Sequence, residues 1–431
     1  MSSEALAFLM FIAGLVLLMG IGLNMALALV LTGAAMAWAL DFWDTQLLAQ
    51  NMVAGIDSFP LLAVPFFILA GELMNSGGIS RRIIEMAQAW VGHIHGGLGF
   101  VAIGAAVLMA SMSGSALADT AALATILLPM MRQQGYPMHT SAGLIASGGI
   151  IAPIIPPSMP FVIYGVTTNT SISALFISGI VPGILMGVGL IVAWKLQLRS
   201  IDLPPGGERL PMGVRLRAVR KAFWALLMPL IIIGGMKSGV FTPTEAAVVA
   251  AMYALVVALL IHRELTVAEV GPVLVRAAKT TAVVMFLCAG AQVASYMITL
   301  ADLPNVLTGW LGTMVHNPRL LMAAMMLALV LIGTALDLTP TILIFAPVML
   351  PIAVKAGIDP VYFGLMFVLN GAIGLITPPV GTVLNVVAGV GRLPMHQVIK
   401  GVNPFLLTYL VLLILFIIFP QIVTAPVAWM R

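Results

Sequence analysis

Apolar runs of about 20 residues recur from Ala5 to Val423, and this repetition constrains the fold more than any other feature of the chain. A run of that length crosses a bilayer as a helix, because backbone groups in lipid must be satisfied within the segment itself. Composition agrees: 61% of the 431 residues are apolar and 8% are charged, against roughly a quarter charged in a soluble domain. The chain therefore reads as an all-α polytopic membrane protein. Its formal net charge of +4 does not point to nucleic acid, since the basic residues lie between apolar runs and report orientation. The single cysteine, Cys288, excludes an intrachain disulfide and a multi-cysteine metal site. Ala5–Ile21 has no basic flank before it and no small-residue cleavage site after it, so it reads as a retained first helix. No polar stretch is long enough for a soluble domain, so any capture of a solute outside the membrane is expected from another polypeptide.

Several runs are interrupted where a lipid-exposed helix would not tolerate it. Ser111-Met-Ser-Gly-Ser115 sits in the middle of Leu98–Arg132, and Ser147-Gly-Gly-Ile-Ile-Ala-Pro-Ile-Ile-Pro-Pro-Ser158 breaks Pro137–Thr170. Gly333-Thr-Ala-Leu-Asp-Leu-Thr-Pro340 and the stretch Asn370–Gly381 do the same within Arg319–Lys355 and Pro360–Val390. Irregular backbone at membrane depth survives only where protein or a water-filled cavity covers it, and in transporters such breaks form the binding site. Residues 98–132 and 319–355 are accordingly read as re-entrant helical hairpins, and residues 137–170 and 360–390 as broken helices.

The other expected crossings are Ala5–Ile21, Asn24–Phe42, Asp57–Asn75 and Ser173–Trp194, then Ala222–Gly239, Thr244–Ile261, Thr280–Leu300 and Val402–Val423. Amphipathic connections are expected around Arg81, Arg82 and Glu85 and at Thr266–Lys279, with a surface arm over Pro304–His316. Residues 195–221 carry seven Lys/Arg against Asp202 and Glu208, around Pro204-Pro205-Gly206-Gly207, and read as a cytoplasmic linker. The flanking halves, 1–194 and 222–431, overlay at a shift of about 220 residues, as an internal duplication predicts. Phe67-Ile-Leu-Ala-Gly71 falls on Phe286-Leu-Cys-Ala-Gly290, and Gly114–Asp119 on Gly333–Asp337 with one residue deleted. Pro129 falls on Pro347, and Gly135 with Pro156-Pro157 on Gly357 with Pro378-Pro379. Each half then holds five crossings and one hairpin. Five is odd, so the second copy is expected to be inverted, with both termini periplasmic and the hairpins entering from opposite faces.

Sodium is a hard cation and takes oxygen ligands. The first break would offer the hydroxyls of Ser111, Ser113 and Ser115 with carbonyls freed at Gly148, Gly149 and Pro153. The second would offer Thr334, Asp337 and Thr339 with carbonyls near Asn370, Gly374 and Thr377. The competing reading is that these hydroxyls only bond helix carbonyls, as many do in membranes. Asp119 is either a cap on the return helix or a functional acid; Asp337, inside its tip, is the stronger candidate ligand. Glu72 reads as a snorkelling acid near a helix end. Half-helices beginning at Ser115, Met159 and Thr382 would aim N-terminal amides at the midplane and suit an anion. Candidate solute contacts are Ser113, Ser158, Asn169, Asp337 and Asn370, with Thr167 and Asn169 alternatively plain helix-end residues. An enzyme is disfavoured. Every histidine (His93, His95, His139, His262, His316, His396) falls at a predicted span end or in a loop, away from Ser113. The tip acids also lack the motif of an aspartyl protease, and no Gly-x-x-x-x-Gly-Lys-Ser/Thr nucleotide loop occurs.

Four segments carry a family resemblance: Pro65-Phe-Phe-Ile-Leu-Ala-Gly-Glu72, Ser113-Gly-Ser-Ala-Leu-Ala-Asp-Thr-Ala-Ala122, Ala152-Pro-Ile-Ile-Pro-Pro-Ser158 and Pro243-Thr-Glu-Ala-Ala247. Together they resemble the large membrane subunit (DctM type) of tripartite ATP-independent periplasmic (TRAP) transporters, and the likeness covers essentially the whole chain. The resemblance implies sodium-driven uptake of a carboxylate by an elevator, in which hairpins and broken helices move as a transport domain against a scaffold. C4-dicarboxylates, sialic acid and sugar or keto acids are the family's solutes. It implies residence in the bacterial inner membrane and two partners, a separate small four-helix membrane subunit and a periplasmic solute-binding protein. No cofactor is expected beyond sodium as coupling ion. The rival expectation is a stand-alone sodium/dicarboxylate carrier of related inverted-hairpin architecture that needs no binding protein.

Overall fold

The computed structural model describes residues 3–430 apart from 202, 204, 205, 303–308, 310–315 and 335. Most of the expected arm at Pro304–His316, and the Pro204-Pro205 pair, lie outside the described residues. All regular structure among the described residues is helical. The first half runs α1 (Ser3–Gly20), α2 (Met25–Ala39), α3 (Thr45–Ala54), α4 (Ala63–Ser76, entered through a 3-10 turn at Phe59–Leu62) and α5 (Ile79–Val91). Then come α6 (Gly97–Ser113), α7 (Ala116–Gln133), α8 (Met138–Gly149), α9 (Met159–Thr168) and α10 (Ile172–Gln197). The second half runs α11 (Met212–Lys237), α12 (Pro243–Val256, continued by a π turn Val257–Ile261) and α13 (Val267–Leu300). It ends with α14 (Pro318–Gly333), α15 (Leu338–Lys355), α16 (Pro360–Gly374), α17 (Thr382–Gly391), α18 (Met395–Ile418) and α19 (Gln421–Met430). Six helical segments of the described residues are long and apolar enough to cross a membrane alone. The hairpin tips and both breaks fall where the Ser/Gly/Pro stretches put them.

Four expectations change. Residues 195–221 are not all linker: α11 starts at Met212, since Arg215, Arg217, Arg220 and Lys221 are competent helix formers on a helix that projects beyond its apolar part. No break separates Thr266–Lys279 from Thr280–Leu300. The Thr266/Glu269 capping box starts α13, and it continues unbroken for 34 residues because its polar positions, Arg276 and Lys279, lie on an exposed face. The last long helix begins at Met395, seven residues before the expected Val402. The short helix α3 was not foreseen; Asp44 caps it by accepting from the amides of Gln46 and Leu47.

The helices pack in two groups. α2 lies along α13 and α4 along α12, with α11 against α5 and α12. Small residues allow these approaches: Ala246, Ala247, Ala250 and Ala254 of α12 are wholly buried. Glu72 of α4 does more than snorkel, for it pairs with Arg276 Nε at 3.1 Å across the two halves. The second group joins the hairpins, the broken helices and the last long helix: α8 on α18, α14 on α16, α7 on α17 and α9 on α15. In the last two pairs, each hairpin's return arm leans on the other half's broken helix. The large buried aromatics Phe161, Tyr164, Phe176, Phe363, Phe367 and Phe405 fill this second group. Tyr409 ties α18 to the first break by donating to Ser147 O at 2.7 Å. α4 and α13 bridge to it through α6, α9 and α15.

Candidate functional site

At the first tip α6 ends on Ser113 and the chain reverses through Gly114 at φ +60. Glycine is required twice over there: the dihedral is left-handed, and a Cβ would press on Pro157 O at 2.7 Å. Ser115 caps α7, accepting from Ala118 N at 3.4 Å. Ser113 Oγ accepts from Ser115 N at 3.1 Å and donates to Asp119 Oδ1 at 2.5 Å. The capping reading of Asp119 is thus overturned. Asp119 is buried one turn inside the helix, with Oδ2 unpartnered, and Ser115 is the cap.

The second tip is built differently. α14 ends on Gly333, which lies against Gly374 at the end of α16; a Cβ on Gly333 would come within 3.0 Å of Gly374 Cα. Asp337 is the N-cap residue of α15, in extended conformation, and its side chain makes no capping hydrogen bond. Thr382, the first residue of α17, donates to Asp337 Oδ1 at 3.2 Å, and Thr341 Oγ1 donates to Asp337 O at 2.7 Å. This corrects the register of the overlay. α7 and α15 begin at residues 116 and 338 and end at 133 and 355, a spacing of 222 residues. On that spacing Asp337 corresponds to Ser115, not Asp119, and Pro129 corresponds to Pro351, not Pro347. The extra residues sit in the second tip, so matching Gly114 with Gly333 displaced Asp119 and Pro129, while Gly135 with Gly357 and Pro156-Pro157 with Pro378-Pro379 already stand at the spacing of 222.

In the breaks, Pro156-Pro157 and Pro378-Pro379 are both cis. Ser158 caps α9, accepting from Phe161 N at 3.4 Å and donating to Pro153 O at 2.5 Å. Gly381, at φ +43, opens α17 without a side-chain cap.

Tips and breaks meet around a cavity of about 170 Å³ lined by Gly114, Ser115, Pro153, Met159, Asp337 and Thr339 among others. The first turns of α7, α9 and α15 all open on it, through Ala116, Met159 and Leu338. A helix N-terminus carries roughly half a positive charge, so three of them opening on one cavity favour negative charge there. Asp337 is the one charged side chain in the wall and brings hard oxygen ligands. Val64 of α4 and Thr280 and Val284 of α13 close the cavity from the other helix group.

Of the sequence-predicted residues, Ser115, Pro153, Asp337 and Thr339 line this cavity. The others stand behind it. Ser111 Oγ donates to Leu108 O, Thr334 Oγ1 to Leu331 O and Thr377 Oγ1 to Ile373 O, all within 2.8 Å, the carbonyl-bonding alternative raised for membrane hydroxyls. Ser113 is turned to Asp119 and Ser158 to Pro153. Gly148 is buried within the last turn of α8, and Gly374 is spent on packing against Gly333. Asn370 is fully buried in α16; its amide donates to Met326 O at 2.6 Å and its Oδ1 is unpartnered. Asn169 does not reach the cavity. It ends α9 in a left-handed conformation, exposed, some ten residues and about 15 Å of helix from Met159. Thr167, two residues before it, donates to Ile163 O. Thr382 was read as the start of a half-helix but not as a partner of Asp337, and Thr280 was missed. Thr280 had no local signal, because only packing brings α13 here. Among the described residues no group of three His, Cys, Asp or Glu could hold a metal ion.

Comparison with known proteins agrees with this architecture. The family model described as tripartite ATP-independent periplasmic transporter, DctM component, matches residues 8–422. The 2,3-diketo-L-gulonate TRAP transporter large permease protein YiaN of Escherichia coli is 51% identical over 99% of this chain and 100% of its own. The sialic acid TRAP transporter large permease protein SiaM of Vibrio cholerae is 40% identical over 93% of each chain. Among solved structures, the Alcanivorax borkumensis YdaH transporter superposes with a TM-score of 0.61 at 16% identity, covering 88% of this chain and 90% of that one, a likeness of fold.

Proposed function

The chain belongs to the DctM component family of tripartite ATP-independent periplasmic transporters, and from that premise we propose that it carries a carboxylate solute inward, driven by sodium. The observation that carries the proposal is the cavity where the N-termini of α7, α9 and α15 converge beside Asp337. A carboxylate seated on those amides is repelled by Asp337 unless a cation lies between them. Sodium bound by Asp337, Ser115 Oγ and the Pro153 carbonyl supplies that cation, so ion binding precedes or accompanies solute binding. Relatives named for diketogulonate and for sialic acid, both carboxylates, support this class of solute.

The movement is an elevator. α6–α10 and α14–α18 form the transport domain, and α1–α4 with α11–α13 the scaffold, a division supported by the two packing groups. The matching order of hairpin and broken helix at a spacing of 222 residues supports an inverted duplication, with hairpins entering from opposite faces of the inner membrane and both termini periplasmic. A separate small membrane subunit holds the scaffold, and a periplasmic binding protein delivers the solute.

Reconstitution tests this. Proteoliposomes holding this chain and the small subunit should accumulate a carboxylate only with the binding protein outside and an inward sodium gradient. Uptake by this chain alone would favour the stand-alone carrier.

A further inference from the structure

α5, α6 and α10 line a second cavity of about 520 Å³. Its wall is apolar, including Trp90, Phe100, Gly104, Leu108 and Ile191, with Lys195 as its one charged side chain. Trp194 Nε1 donates to Gly96 O at 3.0 Å, so the end of α10 meets the start of α6 and the two helices run antiparallel. Lys195 therefore stands at the Phe100 end, and Leu108 lies eight residues, about 12 Å, deeper. The cavity is a slot with a charged mouth and an apolar depth.

A second cation borders the mouth. Arg215 is 3% exposed, and its guanidinium lies 5.7 Å from the centroid of the Trp90 ring. Its Nη2 lies 3.4 Å from His93 Nδ1, but its Nε has no hydrogen-bond partner, and it makes no ion pair among the described residues. A desolvated cation without a counter-charge is costly, and an anion nearby relieves it. Beside the slot, Ile184, Val188 and Val192 of α10 are about half exposed, so the slot lies next to a surface that the bilayer covers.

We propose that this slot binds an anionic phospholipid from the leaflet on the side of the Lys195–Lys221 segment. One acyl chain lies along α6 from Phe100 to Leu108. The headgroup phosphate pairs with the Lys195 ammonium in the field of Arg215. Because α5 links α4 to the first hairpin, the lipid wedges the joint between the two helix groups.

Gly104 offers the test: nothing lies within 4 Å of where its Cβ would stand, so a side chain at this position starts in open space and Gly104→Leu projects into the slot. Full-length protein stripped of lipid is titrated with phosphatidylglycerol or phosphatidylcholine, and bound lipid is counted by native mass spectrometry. Wild type should take one phosphatidylglycerol at about fivefold lower concentration than phosphatidylcholine, the preference a single near-surface lysine confers. Lys195→Gln should equalise the two lipids. Gly104→Leu should remove both at this site with an unchanged or raised melting temperature, since leucine favours helix over glycine. The proposal is overturned if Gly104→Leu still binds one phosphatidylglycerol like wild type, if wild type shows no preference, or if Lys195→Gln keeps it. A co-purifying polypeptide, rather than lipid, that is displaced by Gly104→Leu also overturns it.

Discussion

Asp337→Asn isolates the charge at the cavity, because asparagine keeps the shape of the side chain and can still accept from Thr382 Oγ1. A sodium ion about 4 Å from a carboxylate gains about 4 kcal/mol at an effective dielectric of about 20. Asp337 is partly open to the cavity, and water there screens part of this, leaving about 2 kcal/mol. That corresponds to a rise of about thirtyfold in the sodium concentration giving half-maximal uptake. The assay is initial-rate uptake into proteoliposomes with the binding protein saturating and sodium varied. Choline replaces sodium to hold ionic strength constant. The melting temperature should stay close to wild type, as no packing is removed. An unchanged sodium half-saturation in folded protein would refute the assignment of Asp337 as an ion ligand.

Three further outcomes are expected. Ser113→Ala takes the hydroxyl from buried Asp119, whose Oδ2 is already unpartnered, and should cost about 1–3 kcal/mol of stability in a denaturation series; no loss would mean water or another donor substitutes. Cysteines at Ser115 and Thr334 should label with an impermeant reagent from opposite sides of the membrane or in opposite states, and labelling of both from one side in every state would contradict the inverted hairpins. Burial, and secondarily the charge of Arg82, hold His262 below the ordinary histidine pKa of about 6.5, so the folded chain binds fewer protons than the unfolded one just below that value. Stability should therefore fall as pH drops from 6.5 towards the folded pKa. His262→Gln should remove that part of the slope in thermal melts at pH 7 and pH 5.5, and an unaltered slope would show that His262 is not its source.

How much of this was readable without coordinates depended on whether the cue was local. The tips and breaks were legible because Ser, Gly and Pro in an apolar run announce irregular backbone, and lipid leaves such backbone few places to go. The ends of α11, α13 and α18 were not. Charge in sequence suggests a membrane boundary, yet Arg215, Lys279 and Lys400 ride on helices that continue past it. The register of the repeat failed for a different reason. Identity matched Gly114 to Gly333 at a shift of 219, and although Gly135 and Gly357 already stand 222 apart, only the helix starts at residues 116 and 338 place the extra residues in the second tip. The role of Asp119 was hidden as well. Its partner Ser113 lies six residues away, and only the left-handed turn at Gly114 folds the hydroxyl back onto the carboxylate. Thr280 and Val284 belong to the cavity through packing between distant helices, which no local pattern records.

The central claim is that the tips and breaks enclose one shared site for ion and solute, and Thr339→Cys tests it most directly. Thr339 lines the cavity, and the one native cysteine, Cys288, is 3% exposed, so labelling with a small thiol reagent reports this position. In the reconstituted three-part system, Thr339→Cys should be protected from labelling when sodium and the carboxylate-loaded binding protein are present together, and much less by either alone. Equal labelling in all four conditions would contradict the account.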